Sequence, residues 1–339
     1  MNYYDENGYI NEPLIMGLPY PFIFQVGGRG TGKTYGILKE LLHSGKRFLY
    51  LRRSKVEIDF AGSAHGNPFK SIPGGEGIYS KKIEGLYVFF QDIKHEDGEI
   101  ETALLGYGAA LSTFANLRGV DLSDVEIIFF DEFIPERSKH TIRDEFETLL
   151  NLYETVNRNR ELQGKQAVKL IAAANANDLT NPVFMGLQLV DKLFSMIKAG
   201  RTEYFDASRG LAVLFLYDSP VSAEKAATAL YRLAGSSSFS AMALQNAFAL
   251  DESGIKSRKL TGMKPLCSVG ELVIYQARGR EIYVRSGNAG KVKDVYTTSD
   301  ADIARFVNLY RWLIMSYMYE QITFESMGAK VLFLKLFGL

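Results

Sequence analysis

The residues Gly27-Gly28-Arg29-Gly30-Thr31-Gly32-Lys33-Thr34 fit the Walker A pattern, opened by Gly27 and closed by Gly32, Lys33 and Thr34. Each residue type has a task in phosphate chemistry. Glycines let backbone N–H groups converge on phosphate oxygens, a lysine at Lys33 reaches the β and γ phosphates, and a hydroxyl at Thr34 ligates Mg2+. The helix that must begin there adds the positive end of its dipole. Phe22 to Val26 is an apolar run before the loop, and Ile37, Leu38, Leu41 and Leu42 recur at helical spacing after it, so strand, loop and helix are predicted in the order the pattern requires. ATP with Mg2+ is the expected pair of bound species. Arg29 adds a second positive charge within the loop, which suits either a phosphate contact in the same chain or a contact between chains.

A second signature, an acidic one, lies further along the chain. Glu126-Ile127-Ile128-Phe129-Phe130-Asp131-Glu132 is a continuous apolar strand ending in two acids, the form of a Walker B strand. Asp131 is placed to hold the magnesium shell. Glu132 is placed to polarise an attacking water, a role that a kinase does not need because its substrate supplies the nucleophile. Asn175 ends the next buried strand, Lys169 to Ala174, where a polar side chain can sense the γ phosphate, or simply close a turn. Arg158 and Arg160 fall near the end of a helix predicted from Ile142 to about Arg160. Basic residues there complement the helix dipole, and a guanidinium there can equally serve as an arginine finger. Lys55 and Arg118 lie near strand ends on the nucleotide side of the sheet and are candidates for a DNA-facing surface, or ordinary solvated charges.

Strands alternating with helices through these motifs predict an α/β fold with a parallel sheet. A hairpin is predicted around residues 96–98, and Asp59 to Gly77, rich in Gly, Pro, Ser and Asn, reads as a mobile loop. The 339 residues suffice for two domains, and the predicted organisation is a P-loop domain over 1–200, a helical connector over 201–245 and a C-terminal α+β domain over 246–339. Within the last, a hairpin is expected at Glu271 to Arg285 and helix throughout Asp302 to Ser326. Arg278, Arg280, Arg285, Lys291 and Lys293 cluster around that hairpin, whereas Asp251, Glu252, Glu271, Glu281 and Asp294 form no recognisable two-metal nuclease set. Lys plus Arg equals Asp plus Glu at 39 each, so any nucleic-acid contact must come from local patches. The single cysteine excludes an internal disulfide, four scattered histidines offer no zinc spacing, no window is apolar enough for a membrane span, and the N-terminus does not read as a secretory signal.

The loop at 27–34, Leu49-Tyr50-Leu51-Arg52-Arg53, Phe129-Phe130-Asp131-Glu132-Phe133 and the run from Leu149-Leu150-Asn151-Leu152 to Arg158-Asn159-Arg160 together resemble the DNA packaging ATPases of phi29-type podophages, a ring-forming branch of the additional-strand catalytic-glutamate P-loop ATPases. The resemblance covers most of the first 200 residues. It implies a homomeric ring, a pentamer, docked at the capsid portal vertex in the host cytoplasm and translocating double-stranded DNA. It further implies that Arg158 acts on the neighbouring subunit's nucleotide. The C-terminal domain would be RNase H-like without its nuclease acids, and would contact the capsid or a scaffold RNA. Three rivals remain: a terminase large subunit with an active nuclease, a helicase or recombination ATPase of the same superfamily, and a small-molecule P-loop kinase.

Overall fold

The computed structural model describes residues 2–339 apart from 97, 118–119, 137–141, 218, 238–239, 241–242, 245–247, 249–250, 278, 280, 289 and 291. The chain divides into two compact units, one formed by residues 1–186 and 199–249, the other by 187–198 and 250–339.

The first unit is built on a nine-stranded sheet. Its strands are β1 (Phe22–Gly27), β2 (Phe48–Arg52), β3 (Ile78–Ile83), β4 (Leu86–Lys94), β5 (Ile100–Ala110), β6 (Ile127–Asp131), β7 (Lys169–Ala174), β8 (Glu203–Asp206) and β9 (Leu211–Leu216). Their spatial order is β3-β4-β5-β2-β6-β7-β1-β9-β8. The run from β5 to β9 is parallel, and antiparallel strands extend it at both edges. β1, β6, β7 and β9 are almost wholly buried, which explains why these segments read as unbroken apolar runs. Helices α1 (Glu12–Met16), α2 (Lys33–Ser44), α3 (Lys55–Ala61), α4 (Glu145–Asn157) and α5 (Pro182–Gly186) belong to this unit. Ile37, Leu38 and Leu41 of α2 pack with Tyr50 and Phe129 in the core cluster beneath the loop, so the predicted stripe of α2 anchors the helix whose first turn must meet phosphate.

Three expectations are corrected here. The segment 201–245 is not a helical connector: β8 and β9 lie within it, and the six buried residues of β9 pair with β1. Only α7 (Pro220–Ala226) and α8 (Ala229–Ala234) answer to the expected helix. Residues 187–198, expected in the first domain, belong to the second unit. There α6 (Val190–Lys198) buries Val190, Leu193 and Met196, and Asp191 accepts the Gly328 N–H at 2.9 Å. Finally, Asp59 to Gly77 is no open loop, since α3 runs to Ala61, and Phe69 and Ile72 enter the core.

The second unit holds a five-stranded sheet, ordered β13-β10-β11-β12-β14, from β10 (Lys264–Val269), β11 (Leu272–Gln276), β12 (Ile282–Ser286), β13 (Asp294–Tyr296) and β14 (Ile322–Phe324). The predicted hairpin is β11–β12. The predicted single helix is instead two, Asp300–Leu309 and Trp312–Met318, followed by β14. The β-branched pair Ile322-Thr323 and buried Phe324 favour a strand there, and left-handed Glu320, φ 56°, turns the chain into it.

Candidate nucleotide site

β1 delivers the glycine loop at its carboxyl end, and α2 starts on Lys33 with Gly32 at its N-cap. Gly32 has φ 94°, a conformation that L side chains rarely adopt. Lys33 is buried, and its Nζ donates to the carbonyls of Gly27 and Gly28 at 3.0 and 2.7 Å and to Asn175 Oδ1 at 3.3 Å. Burial pushes the Lys33 ammonium down to about 8, against the opposing pull of Asp131 and Glu12. Thr31 closes the loop by donating to the Gly28 carbonyl at 3.0 Å.

β7 lies between the loop strand β1 and the acid strand β6, so Asn175 projects from the strand end separating Lys33 from the acids. Thr34 Oγ1 donates to Asp131 Oδ1 at 2.9 Å. The hydroxyl and the carboxylate that would share a magnesium shell are therefore already neighbours, and this donor set of hard oxygens fits Mg2+. Glu132 takes φ 56°, unusual for a non-glycine residue, and such backbone strain of about 1–3 kcal/mol is tolerated where surrounding contacts fix it.

Those contacts come from β2, which pairs with β6. Arg52 forks across both acids, donating to Asp131 Oδ2 at 2.6 Å and to Glu132 Oε2 at 2.8 Å. The buried Tyr50 hydroxyl, two residues earlier on the same face, donates to Asp131 Oδ2 at 3.0 Å. Burial pushes the Tyr50 phenol up, so it stays a donor. One oxygen of Glu132 is thus held by a guanidinium, while its side chain stays 40% exposed. Arg52 and Tyr50 were quoted in a sequence pattern but given no task, because nothing local says that β2 lies beside β6.

Arg53, pointing to the other face, forms a bidentate pair with Glu145 at 2.8 and 2.7 Å, with both side chains almost fully buried. This pair ties the first turn of α4 to the end of β2. Replacing Arg53 by Ala leaves the Glu145 carboxylate buried without its partner, and the expected cost is about 3–5 kcal/mol, read as a lowered denaturation midpoint. Glu145→Gln together with Arg53→Met should recover most of it. Arg29 pairs with Glu136, and its backbone carbonyl accepts from Lys225 of α7, so the loop arginine is engaged within its own chain.

Arg158 is not at this site. Its guanidinium donates to Asp121 Oδ1 at 2.8 Å and to the Val120 carbonyl at 3.2 Å, and Arg160 donates to the Ser123 carbonyl at 3.0 Å. These partners precede β6, whereas Asp131 ends it, and five strand residues span about 16 Å. Arg158 therefore cannot reach the phosphates of its own chain without dismantling α4. Lys55 opens α3, exposed and paired with Asp59. Arg118 lies outside the described residues, as do Arg278, Arg280 and Lys291 of the C-terminal basic cluster.

A glycine loop entering a helix, an acid pair on a strand two places away and a polar strand end between them define a P-loop nucleotide-binding protein of the additional-strand type. Within that class the chain belongs to the podovirus DNA encapsidation protein (Gp16) family, whose model matches residues 3–327. Relatives include the DNA packaging protein of Bacillus phage phi29, 25% identical over 310 residues covering 88% of this chain and 85% of the relative. That of Bacillus phage B103 is 28% identical over 233 residues, covering 67% and 64%. Among solved structures, the bacteriophage Phi-29 viral genome packaging motor assembly matches with a TM-score of 0.66 at 20% identity, over 97% of this chain and 98% of that one. The Phi-28 gp11 DNA packaging motor matches with a TM-score of 0.63 at 20% identity, over 96% and 95%. These two likenesses extend across both units of the fold.

Proposed function

We propose that this protein is an ATP-hydrolysing motor subunit that drives double-stranded viral DNA into a preformed capsid, working in a homomeric ring at the portal vertex. Family membership supports the packaging role, and the observation that carries the chemistry is the convergence of Lys33, Thr34, Asp131, Glu132 and Asn175 across three strand ends. Lys33 holds the β and γ phosphates, Thr34 and Asp131 hold Mg2+, and Glu132 orients and deprotonates the attacking water. The metal, when bound, neutralises charge on the transferring phosphoryl group. Asn175, already in contact with Lys33, reports the γ phosphate. Arg158, unable to serve its own loop, supports the reading of a finger lent to a neighbour, and five subunits would close the ring.

Lys55 is proposed to touch DNA phosphate, because an exposed pair such as Lys55–Asp59 holds it by no more than about 1 kcal/mol. Arg118 is proposed beside it on sequence grounds. The antiparallel meander β10-β11-β12 with β13 parallel to β10 supports an RNase H-like ancestry for the second unit, while β14, parallel to β12 on the opposite edge, departs from it. Four of its acids are spent on separate partners: Asp251 on Lys330, Glu252 on Lys198, Glu281 on Arg258 and Asp294 on Tyr310. Among the described residues no three metal-ligating side chains converge, and the second unit is proposed to dock on the capsid or a scaffold RNA. The terminase, helicase and kinase alternatives have no comparable support.

The test is steady-state ATP hydrolysis by the full chain with and without double-stranded DNA. DNA should raise turnover, and Lys33→Ala should abolish it in both conditions. Phosphate transfer to a small metabolite with no response to DNA would sink this reading.

A further inference from the structure

The phosphate site accounts for one end of a nucleotide and leaves the other unplaced. Two cavities meet at the loop. One, of about 540 Å³, contains Lys33, Thr34, both acids and Asn175; the other, of about 830 Å³, contains none of these groups, and Gly30, Gly32 and Tyr35 line both. With the γ phosphate directed at Glu132 and Asn175, the rest of the molecule must leave the loop on the opposite side. The larger cavity lies there, walled by the N-terminal segment and the outer face of α2.

That cavity has the make-up of a site for a flat heterocycle on a polar sugar. Tyr9 and Tyr35 line it with rings that are 47% and 45% exposed. Tyr9 is set in place by its backbone, since its N–H donates to Asp5 Oδ1 at 2.8 Å and the next residue, Ile10, donates to the Thr31 carbonyl of the loop at 3.2 Å. The ring lies against Gly32, where an added Cβ would come within 3.3 Å of it. Glu12 also lines the cavity, is 1% exposed, and is wedged into α2 at Gly36, where a Cβ would stand 2.6 Å from its side chain. One carboxyl oxygen accepts from Gln25 Nε2 at 2.8 Å, and the other, Oε1, has no partner. That oxygen has under 1 Å² of accessible surface, so Glu12 shapes the cavity wall by its packing against α2 rather than by meeting a ligand.

We propose that this cavity is the nucleoside subsite and that Tyr9 is the platform on which the base stacks. The ligand class is a nucleoside di- or triphosphate, and the subsite makes the N-terminal dozen residues part of substrate selection. The inference rests on the nucleotide reading of the loop. It predicts something that reading does not: the loop and the subsite can be separated by choice of probe.

The experiment is calorimetric binding of Mg-ADP and of inorganic tripolyphosphate to wild type, Tyr9→Ala and Tyr9→Phe, with thermal melting as a check on folding. Tyr9→Ala should weaken ADP by about tenfold or more, the range of one lost base–aromatic stack, and leave tripolyphosphate within twofold. Tyr9→Phe should behave as wild type. Equal losses for both probes would show that Tyr9 merely props the loop, and unchanged ADP binding in Tyr9→Ala would place the base elsewhere; either result overturns the proposal. Wild-type protein that binds neither probe would overturn the nucleotide reading itself.

Discussion

Glu132→Gln should lower ATP turnover by about two to four orders of magnitude while nucleotide affinity stays within a few-fold of wild type. The amide keeps the shape and the hydrogen bond to Arg52 but cannot take a proton from water. In the structure Arg52 holds one carboxylate oxygen of Glu132 at 2.8 Å and Asp131 at 2.6 Å. A cation held by Asp131 and Thr34 would compete with Arg52 for that acid. The same guanidinium grips both acids, so loosening one contact loosens the other. Rapid-quench hydrolysis alongside Mg-ATP binding checks the prediction. Loss of binding in step with turnover would mean that Glu132 helps to build the pocket rather than activate water.

The second large effect is expected at Arg158. Removal of a finger guanidinium from a transferring phosphoryl group lowers the rate by about 10³ to 10⁵. Arg158→Ala should therefore be as inactive as Glu132→Gln although it leaves the loop, the acids and Asn175 in place. Its contacts within the chain are with Asp121 and the carbonyls of Val120 and Thr155 at the surface, and its own φ of 43° already ends α4, so little stability depends on the side chain. A melting temperature close to wild type together with a collapsed rate would separate a lent catalytic group from a structural one.

The parts of this site that were legible in the sequence are those whose logic is local. The glycine loop, Lys33 and Thr34 lie within eight residues, and Asp131-Glu132 close an apolar strand, so spacing alone placed them. The parts that were not legible depend on which strands are neighbours. Arg52 matters because β2 lies beside β6; Asn175 is readable as a polar strand end, but its contact with Lys33 follows from β7 lying between β6 and β1. Tyr9 stands in a short N-terminal segment with no pattern of its own, and only its ring against Gly32 and the cavity it lines reveal it. The misread connector has a similar cause. Leu211 to Leu216 is a buried six-residue run of the kind predicted correctly at β6, but a change in local composition outweighed it. In the second unit, an amphipathic stretch over 302–318 carried the helix reading across Glu320 into β14, where parallel pairing with β12 decides the conformation.

The central claim, a ring in which each subunit's hydrolysis depends on its neighbour, is tested most directly by mixing the two inactive proteins. Arg158→Ala and Glu132→Gln would be assayed separately with double-stranded DNA, then combined at high concentration with co-assembly verified. Mixing should restore hydrolysis, because a Glu132→Gln subunit can lend an intact Arg158 to a neighbour whose Glu132 is intact. Co-assembled mixtures that stay as inactive as their components would contradict the account.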